Sequence, residues 1–121
     1  LFTTSYWLLA YIMKKGEIYY VEIPTTFGHE QSWTRPVVVL SELEANIIII
    51  VPFTSNMQAL RFPHTIEVKP SSRNGLKSNS VALVFQLRAI DKRRLKNKIG
   101  VIEDRTLDKI DEIIKKILHL K

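Results

Sequence analysis

The sequence predicts a mainly β domain, a small and partly open barrel with one closing C-terminal α-helix. Short stretches rich in β-branched and aromatic residues recur between residues 17 and 103, separated by turns rich in Pro, Gly, Ser and Asn. From residue 106 onwards the apolar residues are spaced by three and four, which is typical of an amphipathic helix. Five or six short strands followed by one helix favour a barrel of this kind.

The strands begin with Glu17–Ile23, which is rich in Tyr and β-branched residues and ends at Pro24. The stretch 46–52 contains five consecutive β-branched residues, so this strand is apolar on both faces. We therefore expect it to be central in the sheet or covered by a helix. Further strands are predicted at residues 36–40, 65–69, 80–86 and 98–103.

The connections carry their own signals. Residues 53–63 are predicted to form a long loop, and the Ser/Asn/Gly-rich residues 70–79 a turn. Asp91 is predicted to cap a short basic helical turn that reaches Lys96.

The C-terminal helix is predicted from Thr106. Its apolar stripe is formed by Leu107, Ile110, Ile113, Ile114, Ile117 and Leu118. Acidic residues lie early in the helix and basic residues late, which complements the helix dipole and leaves one apolar face to pack on the sheet.

Composition limits the possible functions. The chain of 121 residues is long enough for one domain, and 45% hydrophobic with 25% charged residues is a globular composition. The formal charge of +6 comes from 18 Lys+Arg and 12 Asp+Glu. It favours binding to a polyanionic partner, but it is equally compatible with a basic domain that has no such partner. The absence of cysteine excludes disulfides, thiolate catalysis and Cys-based zinc sites, and it is compatible with a reducing cytoplasm.

The first twelve residues are apolar and aromatic, with no basic residue before Lys14. They lack the charged start of a signal peptide and are too short to span a bilayer. Residues 13–17, Met-Lys-Lys-Gly-Glu, look more like a natural start. We therefore expect a domain at residues 13–121, preceded by an N-terminal extension at residues 1–12.

The polar loop that opens at Gly28 carries His29, Glu30 and Gln31 and leads through Arg35 into the apolar residues 36–40. Such a junction holds reactive groups at the mouth of a rigid strand. Arg35 can stabilise a phosphate through paired donors, and Thr54, after the isoleucine strand, can add a hydrogen bond. The alternatives are a solvated edge charge for Arg35 and a loop-starting hydroxyl turn for Thr54.

The sequence has no His-x-x-x-His pair, His/Asp cluster or nucleotide-binding glycine motif. The remaining groups suit a metal-free reaction on RNA, which supplies its own 2′-hydroxyl nucleophile. His29 is a candidate base or only a hydrogen-bonded loop residue. Basic residues interspersed with aromatic ones fit a groove for single-stranded RNA, or else solvated faces and core rings. They are Arg61, Lys69, Arg73, Lys77, Arg88, Lys92, Arg93, Arg94 and Lys96, with Trp33, Phe53 and Phe62.

Four motifs in order resemble those of the MazF/PemK (Kid) family of toxin endoribonucleases, also called mRNA interferases. They are Lys-Gly-Glu-Ile-Tyr at 15–19, Gly-His-Glu-Gln at 28–31 with Thr-Arg-Pro-Val-Val-Val at 34–39, Val-Pro-Phe-Thr-Ser at 51–55 and Gln-Leu-Arg-Ala-Ile-Asp at 86–91. The resemblance extends from residue 15 to about residue 120.

This resemblance implies an SH3-like barrel of the CcdB/MazF type and a homodimer. It implies sequence-specific cleavage of single-stranded mRNA without metal or other cofactor, leaving a 2′,3′-cyclic phosphate and a 5′-hydroxyl. It also implies a cognate antitoxin whose C-terminal segment occupies the RNA site. DNA would be bound only through the antitoxin complex, and no membrane is involved.

The resemblance also assigns roles to residues. Arg35 and Thr54 align with the MazF-type catalytic pair, and His29 with the histidine of Kid-type members. Where Kid-type members carry charged residues, this chain has Phe85 and Leu83, which favours the Arg/Thr arrangement and leaves the general base open. His29, Gln31 or Gln86 is expected to assist the reaction. RNA contacts are expected from Gln31, Trp33, Ser55, Asn56, Arg61, Gln86 and Arg88.

Two other functions are compatible with these residues. One is a toxin of the same fold that does not cleave RNA, like the gyrase-poisoning CcdB toxins. The other is a structural nucleic-acid-binding barrel without toxicity.

Overall fold

A computed structural model describes residues 13–23 and 33–121, with the side chains of Ile23 and Trp33 excepted. The predicted N-terminal extension at 1–12 lies outside the described residues. The described strands are β1 (Glu17–Ile23), β2 (Trp33–Glu42), β3 (Ile47–Thr54), β4 (Thr65–Val68), β5 (Ser80–Leu83), β6 (Arg88–Asp91) and β7 (Leu95–Val101). One α-helix, α1 (Asp104–Leu118), follows them, and short 3-10 helices lie at Met57–Arg61, Val84–Gln86 and Lys92–Arg94.

The strands pair antiparallel in the order β4-β5-β3-β2-β1-β7, and β6 pairs with β3. In a flat sheet, the four strand spacings between β6 and β7 would separate them by about 19 Å. The chain from Asp91 to Leu95 can reach at most about 14 Å. The run β6-β3-β2-β1-β7 must therefore curl back on itself. Because no pairing of β6 with β7 is described, the result is the partly open barrel that the sequence predicts.

Because successive side chains of a strand point to opposite faces, the curled sheet contributes residues to two hydrophobic cores. One face of the sheet is lined by Val21, Val37, Val39, Ile48, Ile50 and Ile90, with Leu95 packed against them. The opposite face carries a second cluster that includes Val38, Val51 and Phe53 and is covered by β4, β5 and α1. As predicted, the isoleucine strand β3 is central: it pairs with three strands, and both of its faces are covered. This position explains why its residues can be apolar on both faces.

Helix α1 packs its apolar stripe on the second of these faces, except for Leu118 at the end of the helix, which is 51% exposed and not buried as predicted. Ile110 is fully buried, and Leu107, Ile113, Ile114 and Ile117 pack around it. The helix begins at Asp104, two residues before the predicted start, and ends at His119 in the left-handed conformation, where Leu120 N donates to Lys115 O. No helix in the described part of the chain is long and apolar enough to cross a membrane.

Several predicted boundaries were wrong, each for a reason of tertiary structure. Phe53 lies in β3 and not in a loop, because it pairs with Ala82 of β5 and its ring is fully buried. The predicted strand 80–86 stops at Leu83, and its last residues form the 3-10 helix Val84–Gln86. Part of the predicted loop 53–63 is likewise the 3-10 helix Met57–Arg61.

Near the end of the sheet, β6 was not predicted, since four residues with only Ile90 buried carry little strand signal. Strand β7 begins at Leu95, three residues before the predicted start. The basic helical turn between them is confirmed, since the Asp91 carboxylate accepts a hydrogen bond from Arg93 N at 2.8 Å. It ends at Arg94 and not at Lys96 as predicted, because Leu95 and Lys96 belong to β7.

A nearly buried carboxylate fastens the start of β1 to β7. Glu17 accepts hydrogen bonds from Lys98 Nζ at 2.8 Å, Lys14 N at 2.9 Å and Tyr19 Oη at 3.2 Å. Burial acts to raise the pKa of Glu17, but these bonds outweigh it and hold the pKa below its ordinary value. Burial and the adjacent Glu17 raise the pKa of Tyr19 to about 12.

Replacing Glu17 by glutamine is expected to lower the free energy of unfolding at pH 7 by about 1–3 kcal/mol. Because the pKa of Glu17 is lower in the folded state, its contribution is present above the unfolded value of about 4.3 and is lost as the pH falls through the folded value. Urea unfolding at pH 7 and pH 3 should therefore show a smaller difference between wild type and variant at pH 3. A difference that is the same at both values would contradict this role, and Glu22→Gln, at an exposed position on the same strand, is the matched control.

Candidate active site

The two residues named as a catalytic pair meet at the ends of adjacent strands. Val37 pairs with Pro52 and Val38 with Val51, and the same register places Arg35 across from Thr54. Both residues line one cleft of about 330 Å³ at this end of the sheet. The predicted convergence of two strand ends is therefore present in the structure.

Arg35 lies in β2 opposite Val21 of β1 and is partly buried. Burial lowers the pKa of its guanidinium from the ordinary value. Arginine nevertheless keeps its charge near neutral pH, because its ordinary pKa lies far above that range. A charged, partly desolvated guanidinium interacts more strongly with a phosphate than one in open water. Arg35 is therefore suited to stabilising charge that develops on phosphorus oxygens.

A second pocket, of about 100 Å³, lies on the other side of Arg35. Gln86, Arg88 and Arg94 contribute to its wall, so three guanidinium groups converge on this end of the sheet. Arg88 reaches it because β6 pairs with β3 at Ile50. Arg35 forms a shared wall of the two pockets, and a bound polyanion could pass from one to the other along it.

Thr54 ends β3 and also starts a turn. Its Oγ1 accepts a hydrogen bond from Asn56 N at 3.2 Å, and Asn56 Oδ1 in turn accepts from Gln58 N at 3.0 Å, which caps the 3-10 helix Met57–Arg61. The hydroxyl-turn interpretation of Thr54 is thus correct. It does not compete with a binding role, since a hydroxyl that accepts one hydrogen bond still has its own proton to donate.

The other predicted site residues divide between the pockets and the surface. Ser55 lines the main cleft, and Gln86 and Arg88 line the second pocket. Asn56 acts as the helix cap just described. Arg61 is exposed, with its guanidinium carbon 5.8 Å from the centre of the Phe62 ring, and it is not among the described residues that line either pocket.

The predicted site residues that precede β2 are largely outside the described part of the chain. This applies to His29, Glu30 and Gln31, and Trp33 is described only as the first residue of β2.

The structure also places the two residues Leu83 and Phe85. Leu83 is buried in β5, whereas Phe85 is exposed with its ring centre 6.1 Å from that of Phe62. Of the two positions at which the resemblance led us to expect charged residues, one therefore carries a buried apolar side chain and the other an exposed one.

The structure adds residues to the cleft that were not predicted as site residues. Tyr20 contributes because it pairs with Pro36, next to Arg35. Lys77 and Ser78 contribute from the turn 70–79, and Lys77 Nζ lies 5.9 Å above the centre of the Tyr20 ring. The sequence marked Tyr20 only as a strand former and Lys77 only as one basic residue among many.

A buried asparagine organises the turn that carries Lys77. Asn74 is fully buried, and its Oδ1 accepts hydrogen bonds from Ser71 N and Leu76 N, each at 3.0 Å. Its Nδ2 donates to Lys69 O at 2.9 Å and to Glu103 Oε1 at 3.1 Å. One side chain thus satisfies several backbone groups of the turn and ties it to the residue that precedes α1.

The described residues that line the two pockets include no carboxylate and no imidazole. The described part of the chain also contains no group of three or more His, Cys, Asp or Glu side chains placed to hold a metal ion. The charged side chains in the described walls of the two pockets are therefore all positive, namely Arg35, Lys77, Arg88 and Arg94.

Comparison with known proteins agrees with this geometry. A family model described as PemK-like, MazF-like toxin of type II toxin-antitoxin system matches residues 14–118. The endoribonuclease EndoA of Bacillus subtilis (strain 168) is 34% identical over 113 residues, 90% of this chain and 97% of the relative. The endoribonuclease MazF of Staphylococcus saprophyticus is 28% identical over 107 residues, 85% of this chain and 88% of that relative.

Solved structures share the fold. A MazE-MazF complex from Deinococcus radiodurans matches with a TM-score of 0.73 at 22% identity, over 91% of this chain and 98% of that chain. MazF-mt6 of Mycobacterium tuberculosis matches with a TM-score of 0.67 at 18% identity, over 87% and 98%. With its barrel, its Arg35/Thr54 cleft and a family match over nearly the whole domain, the chain belongs to the PemK-like, MazF-like toxins of type II toxin-antitoxin systems.

Proposed function

We propose that this protein acts in the cytoplasm as an endoribonuclease toxin that cleaves single-stranded mRNA at specific sequences without a metal ion. The observation that carries the proposal is the meeting of Arg35 and Thr54 in one cationic cleft. Two relatives that bear the name endoribonuclease, one of them 34% identical over 90% of this chain, support the same activity.

In the proposed reaction, a base removes the proton of the RNA 2′-hydroxyl, and the 2′-oxygen attacks the adjacent phosphorus. The bond from phosphorus to the 5′-oxygen breaks, and the 5′-oxygen takes up a proton. The products are a 2′,3′-cyclic phosphate and a 5′-hydroxyl. Arg35 stabilises the negative charge on the phosphorus oxygens, and Thr54 positions the phosphate by donating a hydrogen bond.

His29 is the proposed base, with Gln31 and Gln86 assisting. The described walls of the cleft contain no carboxylate or imidazole. The loop that carries His29 enters β2 just before Arg35, which makes it the nearest stretch in sequence that can supply an imidazole. A guanidinium is a poor base at neutral pH because its pKa lies far above neutral.

RNA is proposed to run from the main cleft across Arg35 into the second pocket. Ser55 lies along this path on one side, and Gln86 and Arg88 lie on the other. Gln31, Trp33, Asn56 and Arg61 are proposed to contact nucleotides further out. The same site is proposed to receive the C-terminal segment of a cognate antitoxin in a homodimeric toxin, with DNA bound only through that complex.

Purified protein incubated with defined single-stranded RNA in excess EDTA tests the proposal. We expect cleavage at a limited set of sites and products that end in a 2′,3′-cyclic phosphate, which polynucleotide kinase can remove. Cleavage abolished by EDTA would reject the metal-independent mechanism. Failure to cleave any RNA, combined with poisoning of gyrase, would favour a non-cleaving toxin of the same fold.

Replacing Thr54 by valine, which keeps the side-chain shape, is expected to lower kcat about 10- to 100-fold. The variant lacks the hydroxyl proton proposed to hold the phosphate, whereas the exposed Asn56 N–H can bond to water instead. Thr54→Ser is the matched control and should retain most of the activity. Wild-type kcat in Thr54→Val, from single-turnover cleavage, would remove Thr54 from the reaction.

A further inference from the structure

The main cleft carries a second cation that the catalytic proposal does not use. Lys77 extends from the turn 70–79, and its Nζ lies 5.9 Å above the centre of the Tyr20 ring. Tyr20 is in β1, opposite Pro36 of β2, so the ring stands beside the strand end that carries Arg35. Lys77 and Arg35 line the same cleft.

The turn 70–79 fixes the main-chain position of Lys77. Leu76, the residue before it, is buried in the core that faces α1. Asn74 accepts the Leu76 N–H and anchors the turn to Glu103, as described above. The main-chain position of Lys77 is therefore set in advance, and only its flexible side chain remains to be ordered.

The Tyr20 ring limits that remaining freedom. An ammonium within about 6 Å of an aromatic face is attracted by the ring, but the ring, unlike a carboxylate, does not neutralise its charge. No ion pair of Lys77 occurs in the part of the chain that the structure describes. The Nζ of Lys77, with its three N–H donors, therefore lies beside the cleft without a neutralising carboxylate among the described residues.

We propose that Lys77, held by the ring of Tyr20, binds the phosphodiester group next to the scissile one. This inference rests on the proposed function, because it assigns Arg35 and Thr54 to the scissile phosphate. A point charge with three rotatable donors suits a phosphate that must be held but not activated, whereas the planar guanidinium of Arg35 suits the reacting one. Lys77 would then fix the register of the RNA chain across Arg35.

The test measures binding of RNA made non-cleavable by a 2′-deoxy nucleotide at the cleavage position, at several salt concentrations. Removing one phosphate contact to a single strand should reduce the slope of log K against log salt by about 0.7. For Lys77→Ala we expect this reduction, about tenfold weaker binding at low salt and a higher KM, with kcat within about threefold of wild type. Lys77→Arg should restore the slope.

Two further variants separate this role from others. Lys116→Ala removes the same charge from an exposed position on α1 and should leave the slope at its wild-type value. Tyr20→Leu should keep the slope but weaken binding about two- to fivefold, since it loosens Lys77 without removing its charge. Tyr20→Phe keeps the aromatic ring and should weaken binding less than Tyr20→Leu does.

An unchanged slope in Lys77→Ala would overturn the inference. Weaker binding in Tyr20→Leu together with no effect of Lys77→Ala would overturn it as well, and would indicate that Tyr20 stacks directly on a base. If wild type cleaves RNA while either result is found, the proposed function stands and only the inference fails. If wild type neither cleaves nor binds RNA, both fail.

Discussion

Replacing Arg35 by alanine is expected to lower kcat/KM for single-stranded RNA by about a thousandfold. The guanidinium is partly buried and lines the cleft. A cation held at this position by β2 needs little reorganisation as charge develops on the phosphate. Loss of such a group acts on the transition state, so kcat should fall more than KM rises.

Single-turnover cleavage of a defined RNA measures this effect. Arg35→Lys keeps the charge but loses the paired donors, and an intermediate loss of about 10- to 100-fold is expected. Arg94→Ala removes an arginine that lines only the second pocket and should change kcat by less than tenfold. The free energy of unfolding should be measured alongside, because Arg35 also lies within the strand pairing of β1 and β2. A folded Arg35→Ala protein with wild-type kcat would contradict its assignment.

Replacing Gly75 by alanine is expected to destabilise the protein by at least about 3 kcal/mol. Gly75 has φ +70°, a conformation that residues with a Cβ rarely adopt, and an added Cβ would overlap the backbone carbonyl of Ile99. A backbone group in β7 cannot move aside as a side-chain end can. The turn 70–79 would have to lift off β7, which disturbs the buried Asn74 and Leu76.

Urea unfolding of Gly75→Ala and of Ser72→Ala measures this contribution. Ser72 is exposed in the same turn, and its replacement should change the free energy of unfolding by less than about 0.5 kcal/mol. Any folded Gly75→Ala protein should also bind RNA more weakly, since the turn carries Lys77. Equal stabilities of the two variants would show that the turn is not fastened to β7 in the way described.

The barrel is largely predictable from local pattern. Strand β1 was predicted at its observed bounds because β-branched and aromatic residues end at a proline, and the burial of β3 follows from its five consecutive β-branched residues. Strand β6 was missed because it forms by pairing with β3 and buries only Ile90, so its pattern is set by a distant partner. Phe53 was misplaced for the same reason, since its pairing with β5 extends β3 beyond Pro52.

The site residues likewise include some that a local pattern predicts and others that depend on distant parts of the chain. Arg35 and Thr54 could be named from motifs because both stand at strand ends whose register brings them together. Tyr20 and Lys77 could not be named in this way. Their proximity depends on how the turn 70–79, which begins 50 residues after Tyr20, folds against β7 through Asn74 and Gly75. No local pattern encodes that contact. The base proposed at His29 rests on the resemblance and on the sequence, since it lies outside the described residues.

The central claim is that the Arg35/Thr54 cleft directs the 2′-hydroxyl of RNA against its own phosphate. It is tested most directly with a substrate that carries a single 2′-deoxy nucleotide on the 5′ side of the cleaved phosphate, incubated with wild-type protein in EDTA. The predicted result is binding close to that of the all-RNA substrate with no cleavage at that phosphate. Cleavage at the deoxy position would contradict the account, because the nucleophile would then have to be water or a protein group.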